Sequence, residues 1–470
     1  MMSADRAAQA PGAVMKYFEA NSPYARDIAA VIHPHTHLRR HLETGPEIIN
    51  RGQGIFVHDE QGRQFLDAAA GLWCASLGFG NERLARVAYE AMKNLGYYQI
   101  FRHTSNAAAI ELSERLLALA PCPMSKVLLQ CSGSEANDTA AKLVWYYWDA
   151  VGKPEKRKII SRRGSYHGST TVGVCLTGKP EFHAGFGLPF PGFLYTDMPY
   201  YYRHHVEGES EEEFSTRLAA SLEKLILEEG PETIGAFWAD PVVGGSGAVL
   251  PPKGYFEKVQ AVLRKYDILF VADEVICGFG RTGNMWGSQT FGITPDILTC
   301  AKALSAAMQP ISAVLINERI FEGMLIQSDR NGRFVHGYTY AGHPVAAAVA
   351  LETLRIYDEI DMIGHVKAVE PLFLDSLGAL AEHPLVGDVS GCGLIAGIEV
   401  VADKRSREMF PASVGLPAKL EANALKHGLI LRHVGNRLAF SPALIITPEE
   451  IRDLAGRVKA LLDDTLVELG

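Results

Sequence analysis

The sequence predicts an α/β protein, with a large lobe built on a mainly parallel sheet flanked by helices and a smaller α/β lobe. Three observations predict it. Apolar runs rich in Val, Ile and Leu alternate with amphipathic stretches through the middle of the chain, the pattern of parallel strands covered by helices. The 470 residues exceed what a single hydrophobic core normally serves, so more than one lobe is expected. After about residue 341 the character shifts to long amphipathic helices with a few strands.

Taken in order, GIFVHDEQGRQFLDA (Gly54–Ala68) reads as a hairpin turning at Glu60–Gly62. NERLARVAYEAMKNL and NAAAIELSERLLALAP carry apolar residues at helical spacing. KVLLQCS (Lys126–Ser132) is a strand, SEANDTAAKLVWYYWDAVG the helix after it, and RKIISRRGSYHG a strand and loop. EGESEEEF is a solvated acidic loop entering a helix. TIGAFWADPVVGG and DILFVADEV are two further strands, with PKGYFEKVQAVLRKY as the helix between them. In the last part GLIAGIEVV and LILRHV read as strands and EEIRDLAGRVKALLDDTLVEL as the closing helix. No internal repeat or low-complexity linker interrupts this order.

Composition narrows the function classes. Hydrophobic residues make up 47% and charged residues 21%, and the net charge is -9, so no basic surface points to nucleic acid. The seven cysteines are odd in number and scattered without a CxxC pair, which fits reduced thiols in a cytoplasm rather than disulfides or zinc. The N-terminus lacks the order of a signal peptide, and no apolar run approaches the roughly 20 residues of a bilayer span. A cytoplasmic, soluble enzyme is expected.

The stretch ILFVADEVICGFGRTG, Ile268–Gly283, offers two readings. Gly278, Gly280 and Gly283 spell GxGxxG, but the glycines start several residues past the strand and NMWGSQTFGITP after them carries no helical period. A dinucleotide fingerprint needs a helix opening at the third glycine. The better reading takes Asp273, an acid at the carboxyl end of a buried strand, as facing the crevice where such sheets bind ligands. The chain continues through PDILTCAKALS to Lys302. A crevice acid and a loop lysine are the two protein groups a pyridoxal phosphate (PLP) site requires, the acid for the pyridine nitrogen and the lysine for a Schiff base. The alternative is a solvent-facing lysine beside a strand-end acid. Earlier in the chain, GSEAND (Gly133–Asp138) puts small residues and the Ser134 hydroxyl at a helix mouth suited to phosphate; the plainer alternative is a capped helix with Ser134 at N-cap. Tyr166 and His167 in GSYHGS offer an aromatic face for a cofactor ring.

Together GSEAND, SYHGS, ILFVADEVICGFGRTG, PDILTCAKALS and HGYTYAGHP resemble, in this order and from about Gly54 to the C-terminus, the class III (ω-) aminotransferases of PLP fold type I. The resemblance implies a homodimer with interface active sites. It also implies that residues 1–70 join a small domain, 71–340 form the large PLP-binding domain, and 341–470 complete the small domain. It makes Lys302 the Schiff-base lysine, Asp273 the pyridinium partner, Tyr166 the stacked residue and Val275 the apolar backing. Gly133 and Ser134 hold the phosphate, joined by Thr339 and the Tyr338 backbone from the other subunit. GLWCASLGFG and LILRHVGNRLAFSPAL resemble the pyruvate-using branch, which maps a pocket tryptophan to Trp73 and a mobile carboxylate-binding arginine to Arg432, with Phe101 as a further pocket residue. Three positions depart from the family pattern: Asp240 before Pro241 where Glu is frequent, Ala303 after the lysine where Gly is frequent, and Arg102 where an aromatic is frequent.

The expected reaction moves an amino group from a primary amine or ω-amino acid to pyruvate by ping-pong kinetics. A PLP-dependent aminomutase or decarboxylase on the same scaffold is the alternative, since fold does not settle function. His33, His35, His37 and His41 in IHPHTHLRRH invite a metal reading. Ligands on alternate residues, an internal proline and no second cluster argue instead for a polar loop near the dimer interface, with no metal.

Overall fold

The computed structural model describes residues 18–470, which divide into two compact units. The smaller reaches to Gly52 and includes Val57–Gln64. It carries helices Pro23–Ala30 and Leu38–Thr44 and all but the last residue of the strand Ile49–Gln53. The expected turn at Glu60–Gly62 is present, closed by the Asp59 N–H donating to the Arg63 carbonyl at 3.1 Å.

The larger unit holds the rest of the chain and is built on a seven-stranded sheet. Its strands are β1 (Lys126–Gln130), β2 (Lys158–Arg162), β3 (Phe193–Thr196), β4 (Ile234–Ala239), β5 (Leu269–Asp273), β6 (Ile297–Cys300) and β7 (Ser312–Ile316). They lie in the order β1-β7-β6-β5-β4-β2-β3. Only β7 runs against its neighbours; the other pairings are parallel. The mainly parallel sheet read from the apolar runs is thus what the chain builds, and every residue of β4 to β7 is buried, as strands covered on both faces require.

Alternation within those strands sorts the two faces. Trp238, Val271, Ile297 and Val314 pack on the side of helices Gly133–Ala150 and Glu318–Asn331, while Phe237, Phe270 and Ala272 meet Glu211–Glu229 and Tyr255–Lys265 on the other. The acidic EGESEEEF stretch enters its helix through a capping box, Ser210 with Glu213, and three glutamates occupy the first turn, where the helix dipole favours them.

The end of the chain forms helices Pro344–Glu359, Met362–Gly378 and Pro448–Leu469. With them lies a four-stranded antiparallel sheet of β8 (Val386–Cys392), β9 (Ile395–Val400), β10 (Arg432–Val434) and β11 (Arg437–Phe440), in the order β8-β9-β11-β10. LILRHV is not one strand. Leu429 and Ile430 pair parallel with Leu66 and Asp67, then the chain changes sheet at Leu431 and continues as β10 against β11. Among the described residues no helix is long and apolar enough to cross a membrane.

Candidate active site

Parallel strands deliver their carboxyl ends to one edge of the sheet, and β7 puts β1 in the same direction by running against both β1 and β6. A cavity of about 170 Å³ opens at this edge, where α/β sheets bind ligands. Asp273 is the last residue of β5 and pairs in register with Thr299 of β6; Lys302 follows two residues after β6 ends. Gly133 and Ser134 begin the helix after β1, and Tyr166 sits in the loop after β2. All five line the cavity together with Val275. Five to ten residues past Asp273 the GxGxxG glycines form a tight loop, with Gly280 and Gly283 at φ 103° and 84°. No helix opens there until Gly287.

Asp273 is the most elaborately held group of the site. Its Oδ2 accepts from His167 Nδ1 at 2.7 Å and from Asn137 Nδ2 at 2.8 Å, and its Oδ1 accepts from the Val275 N–H at 3.0 Å. Burial alone would raise its pKa, but these donors outweigh burial and hold the carboxyl below its ordinary range. Asn137 is fixed in turn by donating to the His167 carbonyl and accepting from Thr299 Oγ1. Sequence reading gave His167 only an aromatic face and Asn137 no role; neither carries a local signal, because their partner lies on another strand. Beside Asp273, the buried Glu274 accepts from the N–H groups of Gly287 and Ser288, and burial pushes its pKa up to about 7.

Lys302 meets the opposite electrostatics. Burial lowers its pKa to about 8, with the attraction of Cys74 and Asp273 opposing. Its backbone sits at φ 49°, in the left-handed region, which costs a non-glycine residue energy that the surrounding fold must supply. Ala303 has no positive φ. Its methyl packs in the core and its carbonyl accepts from Tyr357 Oη at 2.6 Å, so alanine fits where glycine is frequent. Asp240 also lines the cavity, but Arg162 Nη2 takes its Oδ1 at 2.5 Å and Gly244 N–H its Oδ2 at 3.1 Å. The short carboxylate is therefore committed to the protein.

The residues present fit PLP. The helix at Gly133 is capped by Ser132 and not by Ser134: Ser132 Oγ accepts from the Glu135 N–H at 3.2 Å, and the Glu135 carboxylate returns to the Ser132 N–H at 3.1 Å. That box leaves the Gly133 and Ser134 N–H groups ahead of it as donors for a phosphate. A Cβ on Gly133 would come within 3.0 Å of both Val275 methyls, and one on Gly168 within 2.8 Å of Ser134 Oγ, so side chains there would crowd the cradle. Tyr166 and Val275 supply an aromatic and an aliphatic wall, and Asp273 a buried anion for a ring N–H.

Other expected site residues lie elsewhere in this chain. Trp73 is 3% exposed and packs with Val242, Cys277 and Ile395, whereas Leu72 lines the cavity. The cause is a kink, Gly71 at φ 68° and Trp73 at φ 64°, that turns successive side chains to unexpected sides. Phe101 is exposed and lines a separate groove of about 600 Å³ with Arg102, His336 and Gly337. Tyr338 and Thr339 precede helix Pro344–Glu359 outside the cavity, and the Thr339 carbonyl accepts from Tyr97 Oη at 2.7 Å. Arg432 opens β10 exposed. It does not line the cavity, yet its charge helps to lower the Lys302 pKa, and burial lowers its own with Tyr166 opposing.

A family model described as Aminotransferase class-III matches residues 40–462. Gamma-aminobutyrate transaminase 1, mitochondrial, of Oryza sativa subsp. indica is 48% identical over 410 residues, 87% of this chain and 80% of that protein. A solved thermostable omega transaminase variant engineered for asymmetric synthesis of enantiopure bulky amines has a TM-score of 0.94 at 48% identity, covering 96% of this chain and 100% of that one. A transaminase with L-alanine has a TM-score of 0.88 at 48% identity, covering 90% and 100%.

Proposed function

The chain belongs to the class III aminotransferases, PLP-dependent enzymes that take an amine donor and a keto-acid acceptor, and from that premise we propose that it transfers the amino group of a primary amine or ω-amino acid to pyruvate. Bound PLP supplies a carbonyl that condenses with amines and a ring that takes up the electron pair left when a substrate C–H bond breaks. Everything else falls to the chain. Asp273 keeps a negative charge at the cavity floor for the protonated ring nitrogen, and His167 and Asn137 keep Asp273 ionised. Gly133 and Ser134 bind the phosphate, and Tyr166 and Val275 orient the ring between them. Lys302, with a pKa lowered to about 8, takes the proton from the donor carbon at its Nζ and returns it within the same site. One site serving donor and acceptor in turn gives ping-pong kinetics.

The observation that carries the pyruvate reading is Arg432, an exposed guanidinium at a strand start whose charge is felt at Lys302. Arginine pairs with a carboxylate through two parallel hydrogen bonds, and an exposed start leaves it room to turn away for an uncharged amine. The engineered omega transaminase noted above is substituted at a tryptophan, a phenylalanine and an arginine; the same types recur here with the same spacing as Trp73, Phe101 and Arg432. L-alanine, held by another relative, is the amine counterpart of pyruvate, and γ-aminobutyrate joins the donors to try because relatives are named for it. The test is a panel of γ-aminobutyrate, β-alanine, a diamine and an aromatic amine with pyruvate, read as L-alanine formed, on wild type and Arg432→Ala. At least one donor should yield alanine, and the variant should raise KM for pyruvate about tenfold or more while leaving KM for the aromatic amine near wild type. No alanine from any donor, or equal effects on both substrates, would overturn the reading.

A further inference from the structure

We propose that Asp27, His33 and His41 form a binding site for a divalent cation of zinc type that staples the N-terminal unit. The sequence of IHPHTHLRRH argues against a metal because its histidines alternate, a proline intervenes and no second cluster accompanies them; the structure brings Asp27 from the preceding helix to two of those histidines. Asp27 lies on helix Pro23–Ala30, His33 in the loop after it and His41 in the last turn of Leu38–Thr44. Both rings turn their Nε2 to the same carboxylate oxygen, His33 at 2.9 Å and His41 at 3.3 Å from Asp27 Oδ1. The rings lie 4.2 Å apart, and the three ligand atoms fall within 4.8 Å of one another.

The two carboxylate–imidazole distances are those of ligands around a metal. With metal–ligand bonds of about 2.0–2.1 Å, a tetrahedral ion spaces its ligand atoms by about 3.3 Å, so both carboxylate–imidazole separations need almost no change. Two imidazole nitrogens and a carboxylate oxygen form a donor set that suits zinc. Three protein ligands leave a fourth position for water, and the partial exposure of His33 and Asp27, 31% and 21%, puts solvent at hand. A neutral ring with its proton on Nδ1 offers its Nε2 lone pair to the ion.

The surroundings give such an ion a role. Among the described residues of this unit only His41, Val57 and Asp59 are buried. Helix Pro23–Ala30 buries nothing, and Leu38–Thr44 buries only His41. A segment without an apolar core of its own gains most from a cross-link, and metal-binding free energy becomes folding free energy.

The test uses tag-free holoenzyme dialysed against Zn(II), with bound metal measured by mass spectrometry, for wild type, Asp27→Asn, His33→Gln and a control, His35→Ala. Wild type and His35→Ala should each retain an equivalent of zinc per chain that the other two variants lose, and zinc should slow proteolysis between residues 18 and 52 in those two proteins alone. No zinc on wild type, or equal zinc on all four proteins, overturns the proposal. Cofactor absorbance reports whether the variants fold. Should they not, Co(II) added to wild type decides: intense visible bands of a tetrahedral ion support the site, and the weak bands of an octahedral aquo ion overturn it.

Discussion

At the scale of the residue, Lys302 has to be neutral to accept a proton, and its surroundings provide for that. Its folded pKa of about 8 lies below the ordinary 10.5. Below about pH 8 the buried amine is charged and opposes folding of the cofactor-free protein. Between 8 and 10.5 the unfolded chain holds a proton the folded one lacks, so stability rises with pH across that window. Competitive acetylation of the cofactor-free protein, read by mass spectrometry, should therefore show Lys302 reacting with a midpoint near pH 8, well below that of surface lysines. A midpoint shared with surface lysines would show that burial does not act on this amine.

At the scale of the element, the start of β4 depends on a residue outside it. The Lys156 ammonium donates to the carbonyls of Ile234 at 3.1 Å, Tyr266 at 3.2 Å, Asp267 at 2.8 Å and Pro231 at 3.4 Å, and it lies 4.6 Å from the centre of the Trp148 ring. One cation thus joins the entry to β4, the end of helix Tyr255–Lys265 and the helix that carries Gly133. Lys156→Met keeps the aliphatic length but strands these carbonyls in the interior, which should cost about 3 kcal/mol in urea unfolding of the holoenzyme. A loss under about 1 kcal/mol would mean that water replaces the ammonium. The sequence made the strands and helices legible, because apolar spacing is a property of neighbours in the chain. It did not reveal the sheet switch at Leu431, since the partners of the two halves, Leu66 with Asp67 and Arg437 to Ala439, are remote from each other.

At the scale of the whole molecule, large apolar side chains stand exposed at Tyr97, Tyr98, Phe101, Val335 and Tyr340, and Phe101 borders the groove of about 600 Å³. Aromatic residues gathered on a surface are characteristic of interfaces. We propose that this face meets its counterpart in a homodimer, where Thr339 of the partner subunit would join Gly133 and Ser134 at the phosphate. Sedimentation velocity should then show a dimer whose self-association tightens on adding PLP, as linkage requires of a site to which both chains would contribute. A monomer with full activity would contradict it.

The sequence by itself determined the succession of strands and helices, the acid at the end of β5 and the lysine after β6, and through its motifs the family and the cofactor. These are read from adjacent residues, whose order the chain carries directly. Only the tertiary structure decided which groups act on them. His167 and Asn137 reach Asp273 across the sheet, Arg162 occupies Asp240, Leu72 faces the cavity in place of Trp73, and Asp27 joins His33 and His41. Burial and pairing depend on which distant segments the topology brings together, so the charge on Asp273 and the lowered pKa of Lys302 exist only once the carboxyl ends of the strands share one edge.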